Sequence, residues 1–398
     1  MRFILPFAML LLAACQTRPV AAPPPTPGLS YAWATFDADD VRKSEASGLA
    51  DRRSARALTV DDPVRVASVS KLIVALGVMR LAEQGRVDLD ADISKYLGWE
   101  LRNPAYPGTP ITLRLLLSHR SSLQDAGEAY VIPLGGTVRG AVADAKVFDA
   151  GHAPGTHFRY SNLNFPVIAS ALETATGERF DRLIHRLVMA PLKLDACFNW
   201  TMCSDAKVAR AVTLYRPDGS IALDDLQGAR PACPVFRRGT DCDLDSYALG
   251  SNGALFSPQG GFRASVLDLA VIGQLLLNRG RHDGAPFLSP QSINTILRPA
   301  WTFDGTNGDT SDGFYCAYGL AAQSLPVATP ACRDDLFGNG RRMTGHAGEA
   351  YNVRSGLWID PVRKVGIAFF AANNPADPAQ DRTAYTQIEE WLAARLGN

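Results

Sequence analysis

The period of the apolar positions changes twice along this chain. Ser30 to Phe36 reads as a strand closed by the polar turn Asp37 to Asp40, and Gly48 to Asp51 ends a second extended element. Leu72, Ala75, Leu76 and Met79 then recur at helical spacing, with Gly85 placed to stop the helix after Gln84. Thr112 can cap a short helix over Leu113 to Ser118. Leu163 to Glu173 and Phe180 to Met189 are the clearer helices of the middle, and residues 265–279 form another amphipathic one. After residue 340 the strand pattern returns. Val353 to Ile359 and Val365 to Ala371 flank the turn Asp360-Pro361-Val362-Arg363-Lys364, as in a hairpin. The chain ends on a helical pattern from Thr383 to Leu396, with Ile388, Trp391, Leu392 and Leu396 on its inner face.

Strands at both ends and helices between them predict an α/β (α+β) fold. Its antiparallel sheet is built from both chain ends, with flanking helices and a helical middle insertion. The sheet part is expected at about 29–100 and 250–398 and the helical part at about 100–250. The cleft between them is the default place for a site. With 398 residues, 46% of them hydrophobic, the chain can bury a large core. Its net charge of zero and the lack of a long basic run give nucleic-acid binding no support.

Residues 1–15 read as a targeting segment: Arg2, then an apolar run from Phe3 to Leu12 too short to span a membrane. The ending Leu12-Ala13-Ala14-Cys15 resembles a bacterial lipoprotein box, which implies cleavage before Cys15 and lipid on its thiol. An ordinary secretory signal cleaved near Ala14 is the alternative. Gln16 after the cysteine favours, by similarity, the outer membrane. Pro19, Pro23, Pro24, Pro25 and Pro27 make residues 16–28 a semi-rigid spacer. The expected location is the periplasmic face of a bacterial envelope, held to the membrane through the lipid.

Of the seven cysteines, six remain beside Cys15: Cys197, Cys203, Cys233, Cys242, Cys316 and Cys332. An even number in an exported chain reads as disulfides. Pairing between neighbours is expected, since each pair brackets a short Asp-, Gly- or Pro-rich loop. Without Cys-x-x-Cys or His-Glu-x-x-His, no metal site is expected.

The candidate chemistry starts at Val66-Ala67-Ser68-Val69-Ser70-Lys71, where an extended segment meets a helix. Ser68 and Lys71 are three apart and share a face. An amine whose pKa is lowered by burial can take the serine's proton. The same tetrad recurs at Ser204-Asp205-Ala206-Lys207, so the pattern alone does not decide. Tyr160-Ser161-Asn162 sets a phenol and an amide two apart, pointing one way from an extended loop. The phenol can act as base or relay, and the amide can hold a carbonyl. Gly345-His346-Ala347-Gly348-Glu349 opens a strand, read here as an edge strand. Gly348 permits close approach of a ligand, and a free N–H there can serve an oxyanion. A rival His282-Asp283-Gly284 sits in a polar turn with no strand after it.

Ser68-x-x-Lys71, Tyr160-Ser161-Asn162 and His346-Ala347-Gly348, in that order, resemble the serine β-lactamase and penicillin-binding-protein superfamily. The branch is that of class C β-lactamases, D-alanyl-D-alanine carboxypeptidases and related esterases. Leu115-Leu116-Leu117-Ser118-His119 and Gly155-Thr156 add to the likeness, which runs over roughly 30–396. The second tetrad fails because it follows Tyr160. The resemblance implies a β-lactamase/transpeptidase-like fold and attack by Ser68 on an acyl carbon. Lys71 or Tyr160 would take the proton, the N–H groups of Ser68 and Glu349 would hold the oxyanion, and Asn162 would position substrate. No metal or organic cofactor is implied. Lactamases of this branch resemble Lys-Thr-Gly at the third motif. Here His346 replaces the fixed charge, Ala347 lacks the hydroxyl, and Glu349 adds a negative charge. Each change weakens recognition of a carboxylate. Esterase or amidase action on a substrate with no free carboxylate is therefore expected, with D-alanyl-D-alanine carboxypeptidase or class C-like β-lactamase as the alternative. The rival class is a non-enzymatic envelope protein of the same fold that binds peptidoglycan.

Overall fold

In the computed structural model, which describes residues 29–239, 241–374 and 382–397, the two ends of the chain meet in one antiparallel sheet. Its strands are β1 (Ser30–Asp37), β2 (Val41–Ser47), β3 (Trp301–Thr302), β4 (Ala317–Tyr318), β5 (Gln323–Leu325), β6 (Met343–Ala350), β7 (Val353–Asp360) and β8 (Val365–Ala372). They are ordered β3-β4-β5-β6-β7-β8-β1-β2. β1 pairs along β8 from Ser30 opposite Ala372 to Asp37 opposite Val365. Both faces of β1 are covered, which is why its sequence is almost continuously apolar. Ala32, Ala34 and Phe36 join the main core, whereas Tyr31 and Trp33 join a second core on the other face. β2 closes the sheet as an exposed edge carrying Arg42, Lys43 and Glu45, charges that discourage further pairing.

The helices used below are α1 (Ser70–Glu83), α2 (Leu113–Leu117), α3 (Asn164–Thr176), α4 (Val266–Leu277) and α5 (Gln387–Ala393). α4 lies on the main-core face, where Gly273 lets Phe36 and Leu357 pack against its backbone. α5 covers the other face, with Trp391 edge-on to Tyr31 at 5.1 Å. α1 is buried nearly all round, as its apolar run from Leu72 to Met79 requires.

Two helices differ from the sequence expectation. α5 starts at Gln387 rather than Thr383, because Thr386 and Glu389 form a capping box that fixes its first turn. The segment Phe180 to Met189 is α-helical only to Ile184 and then widens into a π turn over His185–Met189. β6 is an edge only in part. Its first residues, Met343 to Gly345, pair with β5, and the free edge begins after them.

Three disulfides join Cys197 to Cys203, Cys233 to Cys242 and Cys316 to Cys332, the pairing of neighbours expected from the sequence. Cys15, the lipobox and the proline-rich spacer lie outside the described residues. Among the described residues no helix is long and apolar enough to cross a membrane.

Candidate active site

Ser68 stands on a single 3-10 turn, Ala67–Val69, that runs straight into α1. Ala67 is held at φ 46°, the left-handed region that a side chain disfavours. The surroundings hold this turn in place. Val66 N–H donates to the Phe262 carbonyl at 3.0 Å, and Ser355 Oγ donates to the Val66 carbonyl at 2.8 Å. Ser70 Oγ donates to the Ala67 carbonyl and accepts from Phe262 N–H. Such strain persists only where neighbours over-determine it.

Lys71, on the first turn of α1, is completely buried. Its Nζ donates to Ser68 Oγ at 2.9 Å, to Asn162 Oδ1 at 2.9 Å and to the Gln259 carbonyl at 2.7 Å. Burial pulls its pKa down to about 7, opposed by the Asp125 carboxylate and assisted by Arg65. The amine is thus partly neutral near pH 7 and already in contact with the serine oxygen.

Tyr160 is stacked between Tyr315 at 4.5 Å and the His119 ring at 4.2 Å. Its hydroxyl oxygen is buried without a hydrogen bond among the described residues. Burial drives the phenol's pKa well up, and Ser68 and Tyr315 only partly offset that. A phenolate is therefore poorly favoured here. His119 Nδ1 accepts from Ser161 N–H at 3.0 Å and so braces the loop that carries Tyr160 and Asn162. Burial and the nearby Lys71 hold His119 neutral.

The third motif is placed differently from the expectation. Ala347, Gly348 and Glu349 line the cavity, but His346 does not. It is wholly buried, with Nε2 against Tyr318 Oη at 2.7 Å and Nδ1 against the Ala347 carbonyl. Burial, reinforced by Lys71, lowers its pKa to about 3. It is a neutral packing residue rather than a substrate contact. Glu349 pairs with Arg354, which offsets its charge. Gly348 lies directly against the nucleophile turn: a Cβ there would be 2.5 Å from the Val66 carbonyl oxygen and 3.1 Å from Ser68 N. Ala347 N–H points away from β7, to Gln323 Oε1 at 2.9 Å. Directions alternate along a strand, so Glu349 N–H points to that same edge, past the end of β5.

Asp125 and Arg65 were absent from the sequence reading. Asp125 binds the Tyr160–Asn162 loop, and Arg65 lines the cavity next to Ser68. The cavity has a volume of about 1850 Å³ and is also lined by Ser68, Tyr160 and Asn162. Each disulfide fastens a loop that contributes to its wall, through Trp200, Cys233 and Ala331 respectively. The rival tetrad is structural. Ser204 caps a short helix and bonds Asp195, while Lys207 Nζ sits between Asp61 at 3.1 Å and Asp268 at 2.9 Å. The rival His282 lies on a small hairpin beside the Lys193–Asp283 ion pair. Asp149, His152 and His157 bring their ligand atoms within 4.8 Å of one another, but they lie outside the cavity wall.

A serine with a buried amine in hydrogen-bond contact, on a helix laid over this antiparallel sheet, defines the class. That class is the β-lactamase and penicillin-binding-protein superfamily. The Beta-lactamase family matches residues 25–390, and the chain belongs to that family. It is 36% identical over 140 residues to the D-alanyl-D-alanine-carboxypeptidase/endopeptidase AmpH of Escherichia coli (strain K12), covering 33% of this chain and 36% of AmpH. It is 34% identical over 173 residues to esterase EstB of Burkholderia gladioli, covering 40% of this chain and 44% of EstB. These matches span less than half the length of either relative. In fold it is similar to the octameric penicillin-binding protein homologue from Pyrococcus abyssi. That likeness has a TM-score of 0.66 at 20% identity and covers 94% of this chain and 74% of the other.

Proposed function

We propose that this protein is an esterase- or amidase-like hydrolase working through an acyl-enzyme on Ser68. The observation that carries the reading is the Lys71 amine: buried, brought to a pKa of about 7, and 2.9 Å from Ser68 Oγ. Lys71 takes the serine's proton as Oγ attacks the acyl carbon, and the N–H groups of Ser68 and Glu349 receive the developing oxyanion. Lys71 is favoured over Tyr160 as base because burial opposes the phenolate. Tyr160 relays the proton toward the leaving group, Asn162 holds Lys71 and the substrate carbonyl, and water then releases the acyl group.

The likeness to AmpH supports a second reading, D-alanyl-D-alanine carboxypeptidase. The neutral, buried His346 speaks against it, because nothing at the third motif then replaces the lysine that would hold a terminal carboxylate. The deciding experiment is intact mass after incubation with phenyl esters, β-lactams and D-amino-acid peptides. An adduct on the wild type, absent from Ser68→Ala, is expected with the esters. Ester turnover undiminished in pure Ser68→Ala would overturn the mechanism.

The location proposed is the periplasmic face of the bacterial envelope, through lipid on Cys15. It is supported by the Leu12-Ala13-Ala14-Cys15 box and by the three disulfides. Cys15→Ser should release the protein from membranes. A wild-type protein that fractionates as soluble with an unmodified N-terminus would refute the anchor.

A further inference from the structure

Arg65 lies three residues before the nucleophile and is 91% buried, being 9% exposed. It belongs to a short strand, Val64–Arg65, in which it stands directly opposite Arg263. Like charges facing each other across a ladder repel, and burial makes the repulsion worse. One carboxylate is at hand, Asp224, and it is fully used. It accepts from Arg263 Nε at 3.1 Å, from Arg263 Nη2 at 2.9 Å and from Trp200 Nε1 at 2.8 Å. Arg263 Nη1 goes to Asn199 Oδ1 and to the Gly261 carbonyl.

For Arg65 there is nothing comparable. Among the described residues no carboxylate lies within ion-pair distance of it, and its Nε is buried without a hydrogen bond. The ring of Tyr351 lies against its guanidinium, 5.0 Å away. Burial and the facing Arg263 lower its pKa to about 10, so it stays charged at neutral pH. The part of the guanidinium that is open faces the cavity that holds Ser68. It is also close to the reacting groups: a Cβ on Gly260 would be 3.7 Å from Arg65 Nη2 and 3.7 Å from the Ala67 carbonyl carbon. Gly260 directly follows Gln259, whose carbonyl holds Lys71.

An unpaired buried charge is expensive to keep, and a bound carboxylate would complete it with charge-assisted hydrogen bonds. We propose that Arg65, with Tyr351 stacked on it, is the anchor for a carboxylate carried by the substrate. The natural substrate is then an anionic ester or amide. The expectation of a substrate without a carboxylate rested on the third motif alone; the binding charge lies on the other wall of the cavity. This deepens the acyl-enzyme reading and relies on it for the reaction, while the anion subsite can be tested without turnover.

The test compares phenyl hydrogen succinate with its neutral carboxamide, phenyl succinamate, and 4-acetoxybenzoate with 4-acetoxybenzamide. The first pair carries the charge on the acyl side, the second on the leaving group. Wild type should prefer the carboxylate member of at least one pair, through KM, by about tenfold to a hundredfold, the scale of a hydrogen bond to a charged group. Arg65 also helps lower the Lys71 pKa, so its variants are compared as the ratio of the two members, at a pH above the acid limb of each protein. Arg65→Met should bring that ratio to about one, and Arg65→Lys should restore part of the preference. Arg65→Met should also melt no lower than wild type, because it removes a repulsion; a purely structural arginine would cost stability and slow both members equally. Equal rates for both members in both pairs, or an equal loss of both in Arg65→Met, would overturn the proposal. Should wild type turn over no ester at all, the acyl-enzyme reading fails by itself. Calorimetry of phenyl hydrogen succinate against phenyl succinamate on Ser68→Ala then decides the subsite: tighter binding of the acid supports it, and equal binding refutes it.

Discussion

One oxygen of Asp125 accepts from Asn162 twice, from its backbone N–H and from its side-chain Nδ2, each at 2.9 Å. The other oxygen takes Ser161 Oγ at 2.9 Å and Leu163 N–H at 3.0 Å, just ahead of α3. The consequence is an assigned amide: Nδ2 is committed to Asp125, so Oδ1 faces Lys71 at 2.9 Å. A half-buried loop carboxylate thereby sets the orientation of a group inside the cavity.

Asp125→Ala should therefore act as a positioning mutation. Asn162 loses its fixed direction, and kcat should fall by about a hundredfold, the scale of displacing an aligned group. A second readout separates this from general damage. Asp125 raises the Lys71 pKa, so its removal should move the acid limb of the pH–rate profile to lower pH. A profile unchanged in position would count against the coupling.

Lys71 should govern the acid limb in the wild type. With its pKa lowered to about 7, kcat/KM should rise with pH through that value and level off above it. Stability should follow the same group. Between about pH 7 and the ordinary lysine value of 10.5, the unfolded chain binds a proton that the native protein does not. Stability then rises with pH across that window. In Lys71→Met this part of the slope should vanish along with activity. Denaturant midpoints measured from pH 7 to 10 for both proteins would check the sign.

Lys207 should show the opposite division of effects. Its amine is nearly buried between Asp61 and Asp268, and Asp268 also caps α4. Lys207→Met leaves Asp268 without its cation and should cost about 3 kcal/mol, the scale of breaking a buried pair. Ester turnover at a temperature where the protein is folded should not change. Loss of turnover without loss of stability would point to a catalytic role for the second tetrad after all.

The contrast between those two tetrads marks what the sequence can carry. Ser68 and Lys71 were legible because two residues three apart on one helical turn must share a face. The same local spacing also occurs at Ser204 and Lys207, and what separates them is remote: Asp61 and Asp268 pair with one amine, while the other is buried against the neutral acceptors Asn162 Oδ1 and the Gln259 carbonyl. The sheet was legible from β1, β7 and β8, whose apolar runs are long. The short strands β3, β4 and β5 were not, because two or three residues hold no period. That omission is why β6 was read as an edge throughout. His346 was misread for a similar reason: burial and Lys71 keep it neutral, and one residue packed against it is Tyr318, on one of those short strands. Asp125 and Arg65 gave no signal, since a carboxylate in a loop and an arginine in a strand look ordinary until their partners can be counted.

Gly348 offers the most direct test of the oxyanion arrangement. A methyl group there would meet the Val66 carbonyl oxygen at 2.5 Å and Ser355 Oγ at 2.4 Å, and would crowd Ser68 N at 3.1 Å. Two of these neighbours belong to backbone, which cannot swing aside, and Ser355 is tied to the Val66 carbonyl. In Gly348→Ala, β6 must therefore move away from the nucleophile turn and carry Glu349 N–H with it. Distances that matter in the transition state change, while the cavity wall formed by other loops remains. The loss should fall on kcat, by about a hundredfold to a thousandfold, the scale of removing one oxyanion donor. KM should change little. None of the atoms that hold the Lys71 amine is among those the added methyl meets, so the pH of the acid limb should stay near 7. Steady-state kinetics across pH on Gly348→Ala would check all three. Wild-type kcat in a folded variant would show that the N–H groups of this strand do not hold the oxyanion.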